Sequence, residues 1–422
     1  MKLLTVDLEH PLPDVPPPAV GEQWVLVRLH RAPLGMLKFP ARGCSAAELG
    51  RIVTDRFTEE IRRHRTADRL CAPIEGGAWR LDRPCPQRGH FDRPRVTVAV
   101  CTRDGALRID ACLRALTEID YPSERLDLVV IDNASRDNGT KRLIAERYPR
   151  IQCIEEPRPG LDWARNRAIL EARGEVVAFT DDDVSVDPGW VDAIARVFVE
   201  EPDAQCVTGL VVPDAIDTEA HRQFETYGGF GRGYQRRYYR VNAAAGERAA
   251  ERHAGAGRFG TGANMAFRRA IFERIGLFDP ALDVGTPTNG GGDLEMFFRV
   301  LKCKGTLVYE PAALVRHRHR DTYAQLRAQL TDHGIGLYSY LVRTAQAYPE
   351  ERRAVVKLGL WWFVSWDVRR LLRSFVRPGR FPRDLVMAEA RGSIRGLRRY
   401  SSARAVAQHV LEAHGPQTSS AS

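Results

Sequence analysis

Three consecutive carboxylates, Asp181-Asp182-Asp183, end the apolar run Glu175 to Thr180 and stand just before a helix start at Asp187-Pro188. Two like charges ~4 Å apart cost ~4 kcal/mol at an effective dielectric near 20. A bound cation removes that cost, and hard carboxylate oxygens suit Mg²⁺ or Mn²⁺ better than zinc. Such an ion can hold a diphosphate and neutralise the charge that develops when it leaves. The alternative is a solvated turn with one helix cap.

Four other segments carry candidate chemistry. Asp132-Asn133 ends a second apolar strand, where a carboxylate can accept from a base imide or a ribose hydroxyl. Ser135 or Asp137 can cap the helix that follows. Pro159-Gly160-Leu161-Asp162-Trp163-Ala164-Arg165 opens a helix whose Arg165 can reach a nucleotide base or its phosphates. A surface arginine is the other reading. Gly290-Gly291-Gly292-Asp293-Leu294-Glu295 offers glycines that let backbone pass close to a bound group. Asp293 there is either a general base or a capping carboxylate. His317 and His319 fall on one face if their strand continues, so either can touch a diphosphate or complete a metal shell; a structural pair is the alternative. Gly260-Thr261-Gly262 lacks dinucleotide-loop spacing, and no Walker-type loop occurs.

These residues need a frame. Val96 to Cys101, Leu126 to Ile131, Ile151 to Ile154 and Glu175 to Thr180 read as buried strands. Helical periodicities separate them, for example Ile109, Cys112, Leu113 and Leu116. The alternation implies a parallel sheet covered by helices, with ligands beyond the carboxyl ends of the strands. The polar clusters fall at those ends. Residues 1–92 read as a small α+β region. Their opening prolines are irregular. A hairpin runs through Trp24 to His30 and the stretch after Pro33-Leu34-Gly35, and a helix starts at Ser45 with Leu49, Ile52, Val53 and Phe57 on one face. Leu81 to Arg95 is a linker. Residues 321–422 are helical and basic, and Gln417 to Ser422 should be disordered.

The chain has 422 residues, with Lys+Arg 63 against Asp+Glu 54, a net charge of +9. That charge points to an anionic partner such as a phosphorylated substrate or phospholipid. The arginines follow no nucleic-acid-binding pattern, so a nucleic-acid partner is excluded. The eight cysteines form no C-x-x-C pair and no secretory signal is evident, which reads as a cytoplasmic protein with reduced thiols. Cys71, Cys85 and His90 have irregular spacing and too few ligands for zinc. No run is long and apolar enough to span a bilayer. Trp361, Trp362, Phe363 and Trp366 lie just before Arg369, Arg370, Arg373, Arg377, Arg380 and Arg383. That arrangement suits peripheral attachment to an anionic inner membrane face, or a basic bundle packed on the central domain.

In order, these segments resemble the family 2 glycosyltransferases. The likeness rests on Val98 to Asp104, Val130 to Asn133, Pro157 to Arg167, Phe179 to Val184, Gly260 to Phe267, Gly291 to Glu295 and His317 to His319. The resemblance implies a GT-A type, Rossmann-like mixed sheet flanked by helices over residues 93–320. It implies an inverting transfer from a nucleotide-diphosphate sugar to an acceptor hydroxyl, and the membrane-surface location suits a glycan or lipid-linked acceptor in envelope polysaccharide or glycolipid synthesis. By it, Thr102, Arg103, Asp132, Asn133, Arg165, Asp181 and Asp182 bind the nucleotide sugar. Asp183 and Asp181 hold the metal with His317 and His319, and Asp293 is the base. The family usually has Glu-Asp where this chain has Gly292-Asp293. A sugar nucleotidyltransferase and a non-catalytic membrane scaffold are the rival readings.

Overall fold

The computed structural model describes residues 2–18, 21–39, 42–67, 91–242, 259–376 and 382–418. Cys71, Cys85 and His90, most of the expected linker, Arg377, Arg380 and the last four residues lie outside them.

The chain begins with β1 (Leu4–Asp7), β2 (Gln23–Leu29), β3 (Ala32–Phe39) and α1 (Ala46–Ala67). β2 and β3 form the expected antiparallel hairpin, which turns through His30 (φ 50) and Arg31 (φ 63). β1, which the sequence did not reveal, pairs parallel to β2 before the proline-rich stretch begins. The Ser45 hydroxyl accepts from the Glu48 amide at 3.3 Å and so caps α1. Leu49, Val53 and Phe57 bury against Val25, Val27 and Leu29.

The central region runs β4 (Val96–Thr102), α2 (Asp110–Thr117), β5 (Leu126–Asn133), α3 (Gly139–Arg147), β6 (Gln152–Glu156), α4 (Leu161–Glu171), β7 (Val176–Asp181), β8 (Val184–Val186) and α5 (Trp190–Glu200). It continues with β9 (Ala204–Pro213), α6 (Glu219–Tyr227), β10 (Arg237–Tyr239), β11 (Asn264–Arg268), α7 (Ile271–Ile275), α8 (Gly292–Lys302) and β12 (Thr306–His317). The sheet order is β10-β12-β9-β11-β7-β4-β5-β6, with β8 paired to β12. β6, β5, β4 and β7 are parallel, as the strand–helix alternation implies. β11 runs antiparallel between β7 and β9, so the sheet is mixed. The inversion has a consequence for the site. β11 starts at the rim where β7 ends, and β12, parallel to β9, finishes there too.

Alternate residues of β4 face opposite cores, Val98 and Val100 on one side and Ala99 on the other. Helices cover both faces, which keeps a largely parallel sheet dry. The N-terminal sheet braces one edge. Trp24 and Leu26 pack on Leu210, Tyr309 and Leu314, while Arg28 pairs with Asp7 and Asp187. Beyond the sheet lie α9 (Tyr323–Ala347), α10 (Arg352–Trp362), α11 (Arg369–Val376) and α12 (Arg383–His414). A Cβ at Gly334, Gly392 or Gly396 would collide with the backbone of the facing helix, so these glycines let α9 and α12 cross closely. The end of the chain is fastened rather than loose. Arg158 donates to the Gly415 and Pro416 carbonyls at 2.9 Å, and Gln417 donates to Glu156 at 2.7 Å. The disorder expected from residue 417 onward therefore does not hold at Gln417.

Asn264 joins the inverted strand to its neighbours. Its amide donates to the Leu210 and Ala313 carbonyls at 3.1 and 2.8 Å and accepts from Trp190 Nε1 at 2.9 Å. Asn264→Ala strips three buried groups of partners, at ~1–3 kcal/mol each. A loss of at least about 3 kcal/mol in urea denaturation is expected; a loss under ~1 kcal/mol would remove Asn264 from this bracing role.

Candidate active site

The ends of β4, β5, β7 and β12 and the start of β11 surround a cleft of about 970 Å³. α8 and α9 close its far wall. Asp181 is the last residue of β7, and the chain turns through Asp182 and Asp183 into β8. β8 pairs with the end of β12, placing His317 opposite Val184. His317 thereby comes to 3.5 Å from Asp183. One ligand atom each from Asp181, Asp183 and His317 lies within 4.8 Å of the others.

The electrostatics of this trio suit a hard divalent ion. Burial raises the Asp181 pKa, and Asp183 and Asp182 raise it further against the nearby Arg165. Burial and Asp182 likewise raise Asp183. Burial, helped by His319 and Arg320, lowers His317 to about 3, leaving its ring neutral with a free lone pair. Two crowded carboxylates and a neutral imidazole fit Mg²⁺ or Mn²⁺, because the ion relieves the repulsion that proton uptake otherwise relieves.

His319 lies outside this trio. Its Nε2 meets Glu225 Oε1 at 2.7 Å and its Nδ1 faces His317 Nδ1 at 3.4 Å. The strand ends at His317, so the alternation that would carry both rings into the cleft stops one step short. His319 instead backs His317. Asp182 also turns away from the trio. Its Oδ2 accepts from Thr102 Oγ1 and from Arg108 Nε, the latter at 2.9 Å. Thr102 is thus committed to the acidic turn, and Arg103 stands exposed at the mouth of the cleft.

Asn133 is a clamp as well as a cleft residue. It donates to the Arg158 carbonyl at 2.6 Å and accepts from the Gly160 amide at 2.8 Å. These bonds fix the loop leading to α4. Asp132 lies beneath it, 5% exposed, and accepts from Ser135. Ser135 also accepts from the Asp104 amide at 2.8 Å, clasping the β4 and β5 loops together. Neither Ser135 nor Asp137 occupies the N-cap of α3, which is Asn138.

Arg165 is no surface residue. It is 7% exposed, and its Nη1 meets Asp162 Oδ1 at 3.0 Å. Burial opposes its charge, but Asp162, Asp181 and Asp293 outweigh that and push its pKa up. Asp293 stands in the first turn of α8, half-buried, with Oδ2 accepting from the Gly262 amide at 2.8 Å. The Gly260-Thr261-Gly262 stretch, dismissed as a dinucleotide loop, therefore holds the candidate base. The triple glycine lines the cleft and also serves packing. Gly291 (φ 105) abuts the Gly336 carbonyl of α9, and Gly292 abuts the Asp162 carboxylate. Gly262 lies in a segment that carried the family resemblance, but no sequence pattern gave it the role of holding Asp293. Asp162 carried one signal, an acid three residues before an arginine on a helix.

The fold and the cleft thus define a mixed α/β domain with an acidic, histidine-backed candidate cation site at the carboxyl rim of its sheet. Residues 97–276 match the model of Glycosyl transferase family 2, and the domain they build belongs to that family. The match ends before Asp293 and His317, whose placement rests on the geometry above. Among similar proteins, Polypeptide N-acetylgalactosaminyltransferase 5 of Caenorhabditis elegans is 27% identical over 259 residues, 58% of this chain and 40% of that protein. Glycosyltransferase AglE of Haloferax volcanii is 34% identical over 103 residues, 24% of this chain and 34% of that one. Glucosyl-dolichyl phosphate glucuronosyltransferase of the same organism is 29% identical over 176 residues, 40% of this chain and 50% of that one. The chain spans about a third to a half of these relatives' length. A solved mannosyltransferase from Pyrobaculum calidifontis, in complex with GDP-Man and Mn2+, aligns with TM-score 0.47 and 18% identity, covering 82% of this chain and 97% of that one.

The different stations of the two histidines are testable by Mn²⁺ titration calorimetry with a nucleoside diphosphate present. His317→Ala should lower Mn²⁺ affinity at least ~100-fold, and His319→Ala roughly tenfold, the loss typical of a residue that orients a ligand. Equal or reversed losses would contradict the assignment.

Proposed function

We propose that this chain transfers a sugar from a nucleotide-diphosphate donor to an acceptor hydroxyl, with inversion at the anomeric carbon. The observation that carries the reading is the meeting, in one cleft, of a cation trio and a carboxylate base, with one buried arginine as the charged neighbour of both. The membership of residues 97–276 in family 2 supports it, as do relatives that are named glycosyltransferases. In this reading residues 93–320 are the catalytic domain.

Asp181, Asp183 and His317 would hold Mg²⁺ or Mn²⁺, which when bound supplies charge neutralisation to the departing diphosphate. Arg165, fixed between carboxylates, presents positive charge near the same rim. Thr102 and Asn133 keep the acidic turn and the α4 loop in place, and Arg103 lines the cleft on the nucleotide side; Asp132, buried behind Asn133 and not lining the cleft, supports this side rather than touching the donor. Asp293 lines the cleft and is held through Oδ2 by the Gly262 amide. It takes the proton of the acceptor hydroxyl as that oxygen attacks the anomeric carbon from the face opposite the diphosphate, which inverts the centre.

The C-terminal helices support a membrane-proximal, lipid-linked or envelope-glycan acceptor. Among the described residues no helix is long and apolar enough to cross a membrane. Yet Leu360, Trp361, Val364, Leu372 and Phe375 are each 54–65% exposed. The cationic Arg369 and Arg373 are exposed beside them, a combination that favours an anionic lipid surface at the cytoplasmic face. Trp362 and Trp366 turn the other way and line the cleft, so the same helices border both surfaces.

Asp293→Asn should lower sugar transfer by roughly 10²–10⁴-fold, the usual contribution of a general base, with nucleoside diphosphate affinity within about threefold. Transfer at the wild-type rate would remove Asp293 from the base role. In flotation with acidic liposomes the protein should rise at low salt and be released by high salt; a protein that stays at the bottom with such vesicles refutes attachment.

A further inference from the structure

α8 opens with a glycine next to the candidate base. A Cβ on Gly292 would fall inside the van der Waals shell of Asp162 Oδ2, and the rest of that carboxylate lies close behind. Asp162 belongs to α4, so a carboxylate from another helix fills the volume a side chain at 292 would need. The side chain is buried, 1% exposed. Its Oδ1 is held by Arg165 at 3.0 Å, and its buried Oδ2 has no hydrogen-bond partner. A buried oxygen left unpaired is destabilising, so its retention beside the base calls for a reason.

The arrangement repeats one step away. A Cβ on Gly160, just before α4, would collide with Asp283 Oδ2, and the buried Asp283 carboxylate faces the first backbone amides of α4, at Leu161 and Asp162. At the starts of α4 and α8, then, a glycine admits a carboxylate from a neighbouring element. The partial positive charge of a helix N-terminus favours an anion at each place.

Arg165 has one charge and three acidic neighbours, Asp162, Asp181 and Asp293. Were Asp162 absent, the guanidinium would be free to close on the other two. An ion pair with Asp293 would stabilise the carboxylate and weaken it as a proton acceptor. We propose that Asp162 is a positioning residue: it takes the place of a side chain at position 292 and anchors Arg165 so that Asp293 stays free for the acceptor hydroxyl. The role rests on the transferase reading; the sharing of space between positions 162 and 292 does not.

The test is a charge relocation in the full chain, D162A, G292D and D162A/G292D, with kcat, donor KM and Tm measured for each. D162A should lower kcat at least twentyfold with donor KM within about threefold, since the loss lies at the base and not in donor binding. G292D alone should lower Tm, because its Cβ meets the Asp162 carboxylate. In the double variant Tm should return to that of D162A or above, and kcat should rise at least fivefold over D162A. Wild-type kcat in folded D162A, or additive Tm changes with no recovery of kcat, overturns the proposal. If the wild-type protein transfers no sugar from any nucleotide sugar with Mn²⁺, the transferase reading fails by itself. The Tm cycle then decides whether the two positions share one space, and additivity there sinks the inference.

Discussion

The rim of this sheet concentrates negative charge where water is scarce, and one buried guanidinium sits at its centre. Arg165 faces Asp162, Asp181 and Asp293 while itself nearly sealed from solvent. A buried cation without such partners would carry a desolvation cost of several kcal/mol, and so would each carboxylate without the cation. The group is therefore held together as a unit. The remaining excess of negative charge sits at Asp181 and Asp183, where a divalent ion is the chemical complement.

Keeping those groups together demands rigid supports, and most of the surrounding architecture serves that end. Because the antiparallel β11 starts at the rim, the segment just before it brings the Gly262 amide to Asp293. β12 delivers His317 to the acidic turn, and the N-terminal hairpin buttresses β9 and β12 from outside. Asn133 pins the loop before α4, while Arg158 ties that same loop to the end of the chain. A buried residue of α4 such as Arg165 thus has its approach fixed by contacts from two distant parts of the sequence.

The C-terminal helices divide their aromatic residues between two surroundings. Trp366 donates to Glu389 at 3.1 Å and lies under Arg370, whose Cζ is 3.5 Å from the ring centroid. Trp361, one turn away, stands 54% exposed among aliphatic neighbours. A short π-helical stretch, Phe363–Val368, joins α10 to α11 and carries this change of face.

Local order by itself determined a good deal. Period-two and period-3.6 patterns marked the parallel strands, their helices, the hairpin and α1, because burial of alternate or stacked side chains depends only on nearby residues. The run of aspartates at a strand end marked the acidic centre for the same reason. Only the tertiary structure decided the rest. The direction of β11 depends on pairing between strands far apart in the chain, which no local pattern encodes. The order of His317 and His319 followed from where β12 stops pairing. Position 292 looked like the loss of an acidic neighbour until α4 was seen to bring Asp162 into the vacated volume, since a side chain's neighbours are set by packing and not by sequence adjacency.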